Sequence, residues 1–235
     1  MAKAAPTPIS PHKALYKLQT WFSPSYPIGA YSYSHGLESA FHGGLINNGD
    51  DGIEWIGDII RFGNGFGDAV FMQHSYAAAK SGNISQLIDI CQLAIAYCGT
   101  AELRLESHSQ GKAFIDILQK VEPSQILKSL QELWLGPYPY CVVAGAICGE
   151  CEIDVRLALN AYLHGVLANL SSALVRLIPL GQTDGQRIIV ALEETVEQAV
   201  ERALETSIEN LTTSTPMVEI TSMRHETQYS RLFRS

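Results

Sequence analysis

The chain has 235 residues, within the range of one large domain, and its hydrophobic fraction of 46% is enough for a sizeable core. The 16 Lys and Arg residues against 24 Asp and Glu residues give a net charge of −8, and no basic run occurs. Nucleic acids and anionic membranes attract proteins through basic surfaces, so we expect neither as a partner.

The N-terminal stretch, residues 1–10, is rich in Ala and Pro and lacks the apolar core of a signal peptide, which predicts a disordered tail on a cytoplasmic protein. The five cysteines agree with that compartment, because they are an odd number and four lie in apolar surroundings, as reduced core thiols do. Ser10 and Pro11 then provide an N-cap and a first helical proline for a helix that ends before Pro24.

A stretch dense in turn-forming and aromatic residues follows, from Ser23 to Glu38. Its prolines remove backbone donors, and Gly29 and Gly36 permit dihedral angles closed to other residues, so we predict a shaped loop before a short helix at about 34–41. Three tyrosines with rigid rings and polar tips suit contact with another protein surface. Two interpretations stay open: a partner-binding loop, and a buried connector in which the tyrosines only pack.

The middle of the chain has the pattern of successive helices. Asp51 with Glu54, and later Asn83 with Gln86, are placed three residues apart as helix-capping pairs. Between them lies the glycine-rich run 63–67, but no strand-like stretch precedes it and no Gly-Lys-Ser/Thr follows. We therefore predict a helix break there rather than a phosphate-binding loop.

The segment from Leu157 to Val175 holds no Asp, Glu, Lys or Arg over roughly the length needed to span a bilayer. Asn160, His164, Asn169 and two serines interrupt it, and a polar group in lipid is costly without a partner. The segment therefore predicts a buried central helix rather than a membrane span. A pocket for an apolar ligand beside this helix stays open as an alternative.

A last long helix is predicted at about 184–211, with Thr183 and Gln186 as its capping box. Glutamates recur at every fourth position along it: Glu193, Glu197, Glu201, Glu205 and Glu209. Like charges at this spacing are mildly destabilising, which favours a solvated face, with docking of a basic partner as the alternative.

After this helix the chain changes character, because a polar hinge precedes Pro216 and the last 20 residues show no helical apolar period. We expect the C-terminal tail, 212–235, to be mobile alone and to become ordered on a partner. The sequence has no strand-rich stretch and no internal repeat. The predicted fold class is therefore all-α: a single-domain helical bundle, 11–211, with flexible N- and C-terminal tails.

Few residue constellations indicate catalysis. His35, Glu38 and His42 would share one face of a helix, which gives the alternative function of a helical metal-dependent hydrolase. Neighbouring glycines weaken that helix, however, and the spacing does not match His-Glu-x-x-His. Cys148 and Cys151 form a lone C-x-x-C, for which a core residue and a surface residue are the simplest interpretation. We expect no catalytic residue, no metal site and no cofactor.

Four stretches resemble, in order, the blocks of one protein family. The first is Pro-x-Gly-x-x-Ser-Tyr-Ser-x-Gly-Leu-Glu, from Pro27 to Glu38. The others are Glu102-Leu103-Arg104 with Glu106-Ser107, then Pro179-Leu180-Gly181-Gln182 with Gly185-Gln186, and finally His225 to Ser235. From about Leu15 to its C-terminus the chain is therefore similar to the urease accessory protein F (UreF) family.

This resemblance implies a cytoplasmic, helical, homodimeric chaperone for assembly of the urease nickel site, and not an enzyme. It implies three further partners: the bridging accessory protein UreD (also called UreH), the nickel-carrying GTPase UreG reached through that complex, and apo-urease. Regulation of GTP hydrolysis by UreG and support of nickel insertion are implied as well, with nucleotide and nickel held by the partner.

The resemblance also implies the partner-binding residues, carried over from the matching blocks. In the loop they are Tyr31, Ser32, His35 and Glu38, and in the third block they are Gln182 and Gln186. In the tail they are His225, Glu226, Tyr229, Arg231, Leu232, Phe233, Arg234 and Ser235.

Overall fold

A computed structural model describes residues 9–235 of the chain. Twelve α-helices and no strand occur in this range, so the all-α prediction is confirmed. The helices are α1 Pro11–Trp21, α2 Leu37–His42, α3 Gly49–Phe62, α4 Asn64–Lys80, α5 Ile84–Tyr97, α6 Ala101–Val121, α7 Gln125–Leu133, α8 Tyr140–Glu150, α9 Val155–Leu177, α10 Gln182–Ala191, α11 Glu193–Glu205 and α12 Pro216–His225. The predicted N-terminal tail, 1–10, lies outside the described residues except for Ile9 and Ser10.

Side chains that accept backbone N–H groups fix where several helices begin. Ser10 caps α1 by accepting from Lys13, and Asn83 caps α5 by accepting from Gln86, both as the sequence predicts. The Asp51 and Glu54 capping pair predicted for α3 is wrong, because Asn48 is the N-cap. Its side chain accepts from two backbone N–H groups of the first turn, and the first-turn aspartates then lie favourably in the helix dipole.

The core is built around α9, with α4 and α8 packed against each other beside it. The helix α9 buries much of its circumference, including Leu159, Leu163 and Leu167. The helices α4 and α8 approach so closely that a Cβ atom on Gly145 or Gly149 would lie 2.3 Å from a backbone oxygen of α4. Within 9–235 no helix is both long enough and apolar enough to cross a membrane.

The glycine-rich run 63–67 is a break between α3 and α4. Gly63 has an extended backbone, and its N–H still donates to Ile59 at the end of α3. A Cβ on Gly65 would lie 3.0 Å from the carbonyl oxygen of Ile59, so the glycines allow α4 to begin directly against the end of α3.

The single long helix predicted at 184–211 is wrong, because the chain turns at Leu192 and forms two helices there. The turn lets α10 pack on α3 and α9 while α11 packs on α3, α4 and α9. The predicted capping box of Thr183 and Gln186 is not formed either. Asp184 accepts the N–H of Gly181 at 3.0 Å and closes the first turn of α10 instead.

The predicted mobile C-terminal tail differs from the structure, in which α12 packs against α2 and α6. The sequence does not reveal this helix because its buried face is mostly polar, with Val218 as its one apolar residue. Thr221, Ser222 and His225 are buried there, and the Ser222 hydroxyl hydrogen bonds to that of Thr100 at the start of α6. A search for apolar period cannot detect such a face.

Candidate functional site

Two segments distant in sequence lie side by side on the surface formed by α2, α6 and α9. We call residues 23–36 the signature loop and residues 226–235 the C-terminal segment, and together they form the loop–tail site. Their backbones are paired: Ser34 donates its N–H to the carbonyl oxygen of Ser235 at 2.9 Å, and Arg234 donates to Ser32 at 2.8 Å. The Ser34 hydroxyl also donates to the Ser235 carbonyl oxygen. The loop therefore binds the last two residues through backbone hydrogen bonds, as a neighbouring strand would.

Left-handed backbone conformations shape the signature loop. Gly29 and Gly36 have φ of 78° and 81°, and His35 has φ of 57°, which is uncommon for a residue with a side chain. Gly36 faces α12 so closely that a Cβ atom would lie 3.0 Å from both the Ser222 nitrogen and the Thr221 hydroxyl. Glycine at this position therefore allows the loop to pack on α12.

Glu38, in the first turn of α2, binds the C-terminal segment. Its carboxylate accepts the N–H groups of Leu232 at 2.7 Å and Phe233 at 2.9 Å, and it lies 3.1 Å from Nε2 of His225. Burial raises the pKa of this carboxyl, but the hydrogen bonds from the two backbone amides and from His225 outweigh that effect and hold the pKa below its usual value. The ionised carboxylate is therefore the form that holds the segment.

His225 lies between two carboxylates at the end of α12. Its Nε2 faces Glu38, and its Nδ1 lies 2.9 Å from Glu102 of α6, whose carboxylate also accepts from Arg231 at 3.1 Å. Both ring nitrogens face acceptors, so the imidazolium is the form that donates to both. Two buried carboxylates and the buried imidazole thus lie together, with the Arg231 guanidinium at the exposed edge of the group.

A second carboxylate of α6 holds the last residue. Glu106 accepts from the Ser235 hydroxyl at 3.0 Å and from Gln110 Nε2 at 3.1 Å, and His35 Nδ1 lies 3.5 Å away. Ser235 is completely buried. The two glutamates of α6 thus contact the C-terminal segment at Arg231 and at Ser235.

Arginine and aromatic rings form the outer layer of the site. The guanidinium of Arg176, in the last turn of α9, lies 3.8 Å from the ring centre of Tyr31 and 4.3 Å from that of Phe233. Cation–π contacts thereby join the loop, α9 and the C-terminal segment. Tyr31 and Leu232 are each 63% exposed, and Tyr229 is fully exposed.

The structure brings the predicted loop and tail residues together, but it divides them by exposure. Tyr31, Tyr229, Arg231, Leu232 and Arg234 face solvent, as does Glu226. Glu38, His225, Phe233 and Ser235 are buried and hold the segment in place, while His35 and Ser32 are partly buried. Gln182 and Gln186 are exposed on α10, and neither hydrogen bonds to the loop–tail site in the described part of the chain.

The side-chain contacts of His35, Glu38 and His42 contradict the metal-site alternative. Glu38 is engaged by His225 and two backbone amides, His35 faces Glu106, and His42 Nδ1 accepts from the Gln228 amide nitrogen at 3.2 Å. Among residues 9–235, no group of three or more His, Cys, Asp and Glu side chains is placed to hold a metal ion. The three residues are therefore not a ligand set.

Sequence reasoning missed three residues that build the site: Glu102, Glu106 and Arg176. The two glutamates belong to a block that resembles the family, and this was the signal available for them. Arg176 is the first charged residue after the charge-free stretch 157–175, and this position was the sequence feature that could have indicated it.

A small cavity with a few polar groups in its walls lies inward of the site. Two adjoining spaces of about 60 Å³ each share His35, Glu106 and Gln110 in their walls, enough room for a few waters. At the wall of the first, Tyr162 donates its hydroxyl to Asp68 at 2.8 Å. Burial raises the pKa of Asp68 to about 6, against the opposing effects of the Tyr162 hydrogen bond and of His35.

The cysteines are all free, which agrees with the predicted reduced state. Burial raises the pKa of Cys91 and of Cys98 to about 12, so both thiols are unreactive at neutral pH. Cys148 is buried in α8 and Cys151 is partly buried, as expected for a core residue and a surface residue.

Comparisons with known proteins identify the family. The UreF family model matches residues 46–193, more than half of the chain. A protein named urease accessory protein UreF from Rhodopseudomonas palustris (strain BisB5) is 40% identical over 232 residues, covering 99% of this chain and 96% of the relative. A protein of the same name from Bradyrhizobium sp. (strain BTAi1 / ATCC BAA-1182) is 41% identical over 226 residues, covering 95% and 93%. This chain belongs to the UreF family of urease accessory proteins.

UreF proteins are accessory proteins rather than catalytic enzymes, and the chain spans nearly the whole length of these relatives. The family model covers α3 to α10 but neither half of the loop–tail site. The full-length relatives extend over both halves, since one matches 234 residues, 100% of this chain.

Proposed function

We propose that this UreF chain acts in the cytoplasm as a scaffold that binds the bridging accessory protein UreD/UreH and, through that complex, the GTPase UreG. In this role it regulates GTP hydrolysis by UreG and supports nickel insertion into apo-urease. The observation that carries the proposal is the loop–tail site, in which a buried ion network presents exposed tyrosine, leucine and arginine side chains on one surface. Such side chains are typical anchors of protein interfaces.

The binding residues divide into two roles under this proposal. Tyr31, Tyr229, Leu232 and Arg234 contact UreD/UreH directly, because they are exposed on the outer layer. The buried glutamates and His225 position them by holding the C-terminal segment. Gln182 and Gln186, exposed on α10, form a separate contact surface for the assembled complex.

A homodimer is the second part of the proposal. An apolar groove of about 690 Å³ lies between α1, α9 and α10. Its rim exposes Leu15 and Leu157, each 56% exposed, and Val190, 69% exposed. Exposed apolar residues that surround one groove are typical of an interface between proteins, and we assign this groove to a second copy of the chain.

Nucleotide and nickel chemistry belong to the partners in this proposal. The one glycine-rich run with a superficial likeness to a phosphate loop is the break between α3 and α4, without a preceding strand. The chain alone is therefore expected to hydrolyse neither GTP nor urea. GTP turnover by preparations free of UreG would contradict this expectation.

Co-purification with tagged UreD/UreH tests the proposal. We expect a stable complex of the wild-type chain with UreD/UreH, and UreG retained only when both are present. A Tyr31→Ala, Leu232→Ala double variant should lose the complex while keeping its helical circular dichroism, because both side chains are largely exposed. Val121→Ala, 71% exposed at the end of α6, is the matched control and should bind normally. A double variant that binds as tightly as wild type would contradict the proposal.

A further inference from the structure

Positive charge is concentrated on the outer face of the loop–tail site, although the whole chain has a net charge of −8. From position 224 onward the sequence holds three arginines, Arg224, Arg231 and Arg234, and one acidic side chain, Glu226. Arg176 lies against the same surface beneath Tyr31. The opposite sign predominates on α11, where four glutamates recur along one ridge.

Two of these arginines are available to a partner. Arg231 is already bonded to Glu102, but the side chains of Arg224 and Arg234 are exposed and form no ion pair within residues 9–235. The Arg234 guanidinium lies 5.9 Å from the ring centre of Tyr33, and its own backbone N–H is bonded to Ser32. The backbone bond therefore fixes Arg234 in place while its side chain stays unpaired.

Exposed apolar side chains accompany these charges. Tyr229, two residues before Arg231, is fully exposed. Leu232, two residues before Arg234, is 63% exposed. Arginine and tyrosine together are the residue types most enriched at energetic centres of interfaces. An arginine fork also binds a carboxylate through two parallel hydrogen bonds, which a lysine does not do.

We propose that the loop–tail site, together with Arg224 at the end of α12 next to it, recognises an acidic protein surface, whose carboxylates pair with Arg224 and Arg234 while its apolar groups cover Tyr229 and Leu232. This inference rests on the proposed function, and it specifies the chemistry of the UreD/UreH surface that docks there. A protein surface fits better than a nucleic acid, because a long polyanion would be repelled by the rest of this acidic chain. Recognition at this face is therefore expected to weaken with salt.

The test is the dissociation constant of the complex with UreD/UreH, measured by calorimetry as a function of NaCl. Wild-type affinity should fall at least about tenfold between about 50 and 500 mM NaCl, because exposed ion pairs are screened over that range. Arg224→Gln and Arg234→Gln should each weaken binding about three- to tenfold at low salt, and the double variant should show a flatter salt dependence. Lys128→Gln, exposed on α7, is the control with the same loss of charge and should bind as wild type.

The outcomes separate this inference from the proposed function. A wild-type complex whose affinity responds neither to salt nor to the arginine substitutions overturns the inference and leaves the scaffold role intact. No complex with any variant contradicts the scaffold role itself and this inference with it. Tighter binding to a single-stranded oligonucleotide probe than to UreD/UreH would also overturn the inference.

Discussion

At the scale of single residues, the loop–tail site depends on a buried group of opposite charges. Glu38 and Glu102 would repel each other and would lose hydration if they were buried alone. His225 is completely buried between them, and Arg231 completes the compensation at the rim. Each charge is tolerated because its partners are present. If one member is removed, the remaining charges lose the interactions that offset their desolvation.

His225→Ala should therefore be strongly destabilising, by about 3–5 kcal/mol, because it leaves two buried carboxylates without their shared donor. Urea unfolding followed by circular dichroism measures the loss. His12→Ala, exposed on α1, is the control and should change stability by less than about 0.5 kcal/mol. A His225 variant as stable as the control would show that the ion network does not hold the C-terminal segment.

Glu38 and Asp68 make opposite contributions to the dependence of stability on pH. The folded pKa of Glu38 lies below its usual value of 4.5, so its stabilising effect is complete above that value and is lost as pH falls through the folded pKa. The folded pKa of Asp68 is raised from 3.8 to about 6, so folding favours its protonated form. Its contribution is therefore most favourable below 3.8 and declines as pH rises through 6.

Asp68→Asn should accordingly stabilise the protein at pH 8, by up to about 3 kcal/mol, and should have a much smaller effect at pH 4. The amide keeps an oxygen that accepts from Tyr162 but removes the buried charge. Melting temperatures at the two pH values measure the difference, with Asp58→Asn on the exposed face of α3 as the control. A stabilisation equal at both pH values would contradict the ionisation of Asp68 as its cause.

At the scale of helices, the sequence predicts elements whose signals are local. α1, α5 and α9 were predictable because capping residues or a long stretch without charged residues mark them. α12 was not, since Val218 is the one apolar residue among Thr, Ser and His on its buried face. The break at Leu192 was not predictable either. Its position depends on the helices that α10 and α11 pack against, and no helix-breaking residue marks it.

The candidate site was predictable in part for the same reason. The signature loop and the end of the chain could be singled out, because unusual composition and family resemblance mark both. Their pairing could not, since Glu38 and Phe233 are 195 positions apart and no local pattern records that contact. The role of Arg176 likewise follows only from the fold, which brings the end of α9 between Tyr31 and Phe233.

The contact between the signature loop and α12 can be tested with a pair of glycine substitutions. Gly36→Ala and Gly29→Ala both place an alanine at positive φ, which costs about 1 kcal/mol. Only at Gly36 does the added Cβ also meet α12, at 3.0 Å from two atoms, whereas nothing lies within 4 Å at Gly29. Gly36→Ala should therefore displace α12 and the C-terminal segment, while Gly29→Ala should not.

Hydrogen exchange measures this displacement directly. In the wild-type chain the amides of Leu232, Phe233 and Arg234 should be protected, because each donates to an acceptor in α2 or the loop. Gly36→Ala should abolish their protection, and Gly29→Ala should preserve it. Rapid exchange of all three amides in the wild-type chain would instead support the mobile tail that the sequence predicts.

At the scale of the whole molecule, three surfaces with different chemistry lie on one helical body. The loop–tail site is basic and aromatic, the groove between α1, α9 and α10 is apolar, and the ridge on α11 is acidic. A scaffold that holds several partners at once needs surfaces of different chemistry such as these. The rigid core around α4, α8 and α9 fixes their relative positions.

Self-association through the apolar groove should be insensitive to salt. Light scattering at micromolar concentration is expected to show a dimer that persists at high NaCl, since few charged groups line the groove. Val190→Asp should give a folded monomer, because it places a charge at the exposed rim. Lys128→Asp, which places an acidic residue at an exposed position on α7, should remain dimeric. A wild-type monomer under all conditions would contradict the assignment.

Activation of apo-urease in a reconstituted system tests the scaffold role most directly. Apo-urease is incubated with nickel, GTP, UreD/UreH and UreG, and with either this chain, its Tyr31→Ala, Leu232→Ala variant, or neither. Urease activity is then measured. The scaffold role predicts full activation only with the wild-type chain, and near-background activity without it or with the variant. Equal activation in the absence of this chain would contradict that role.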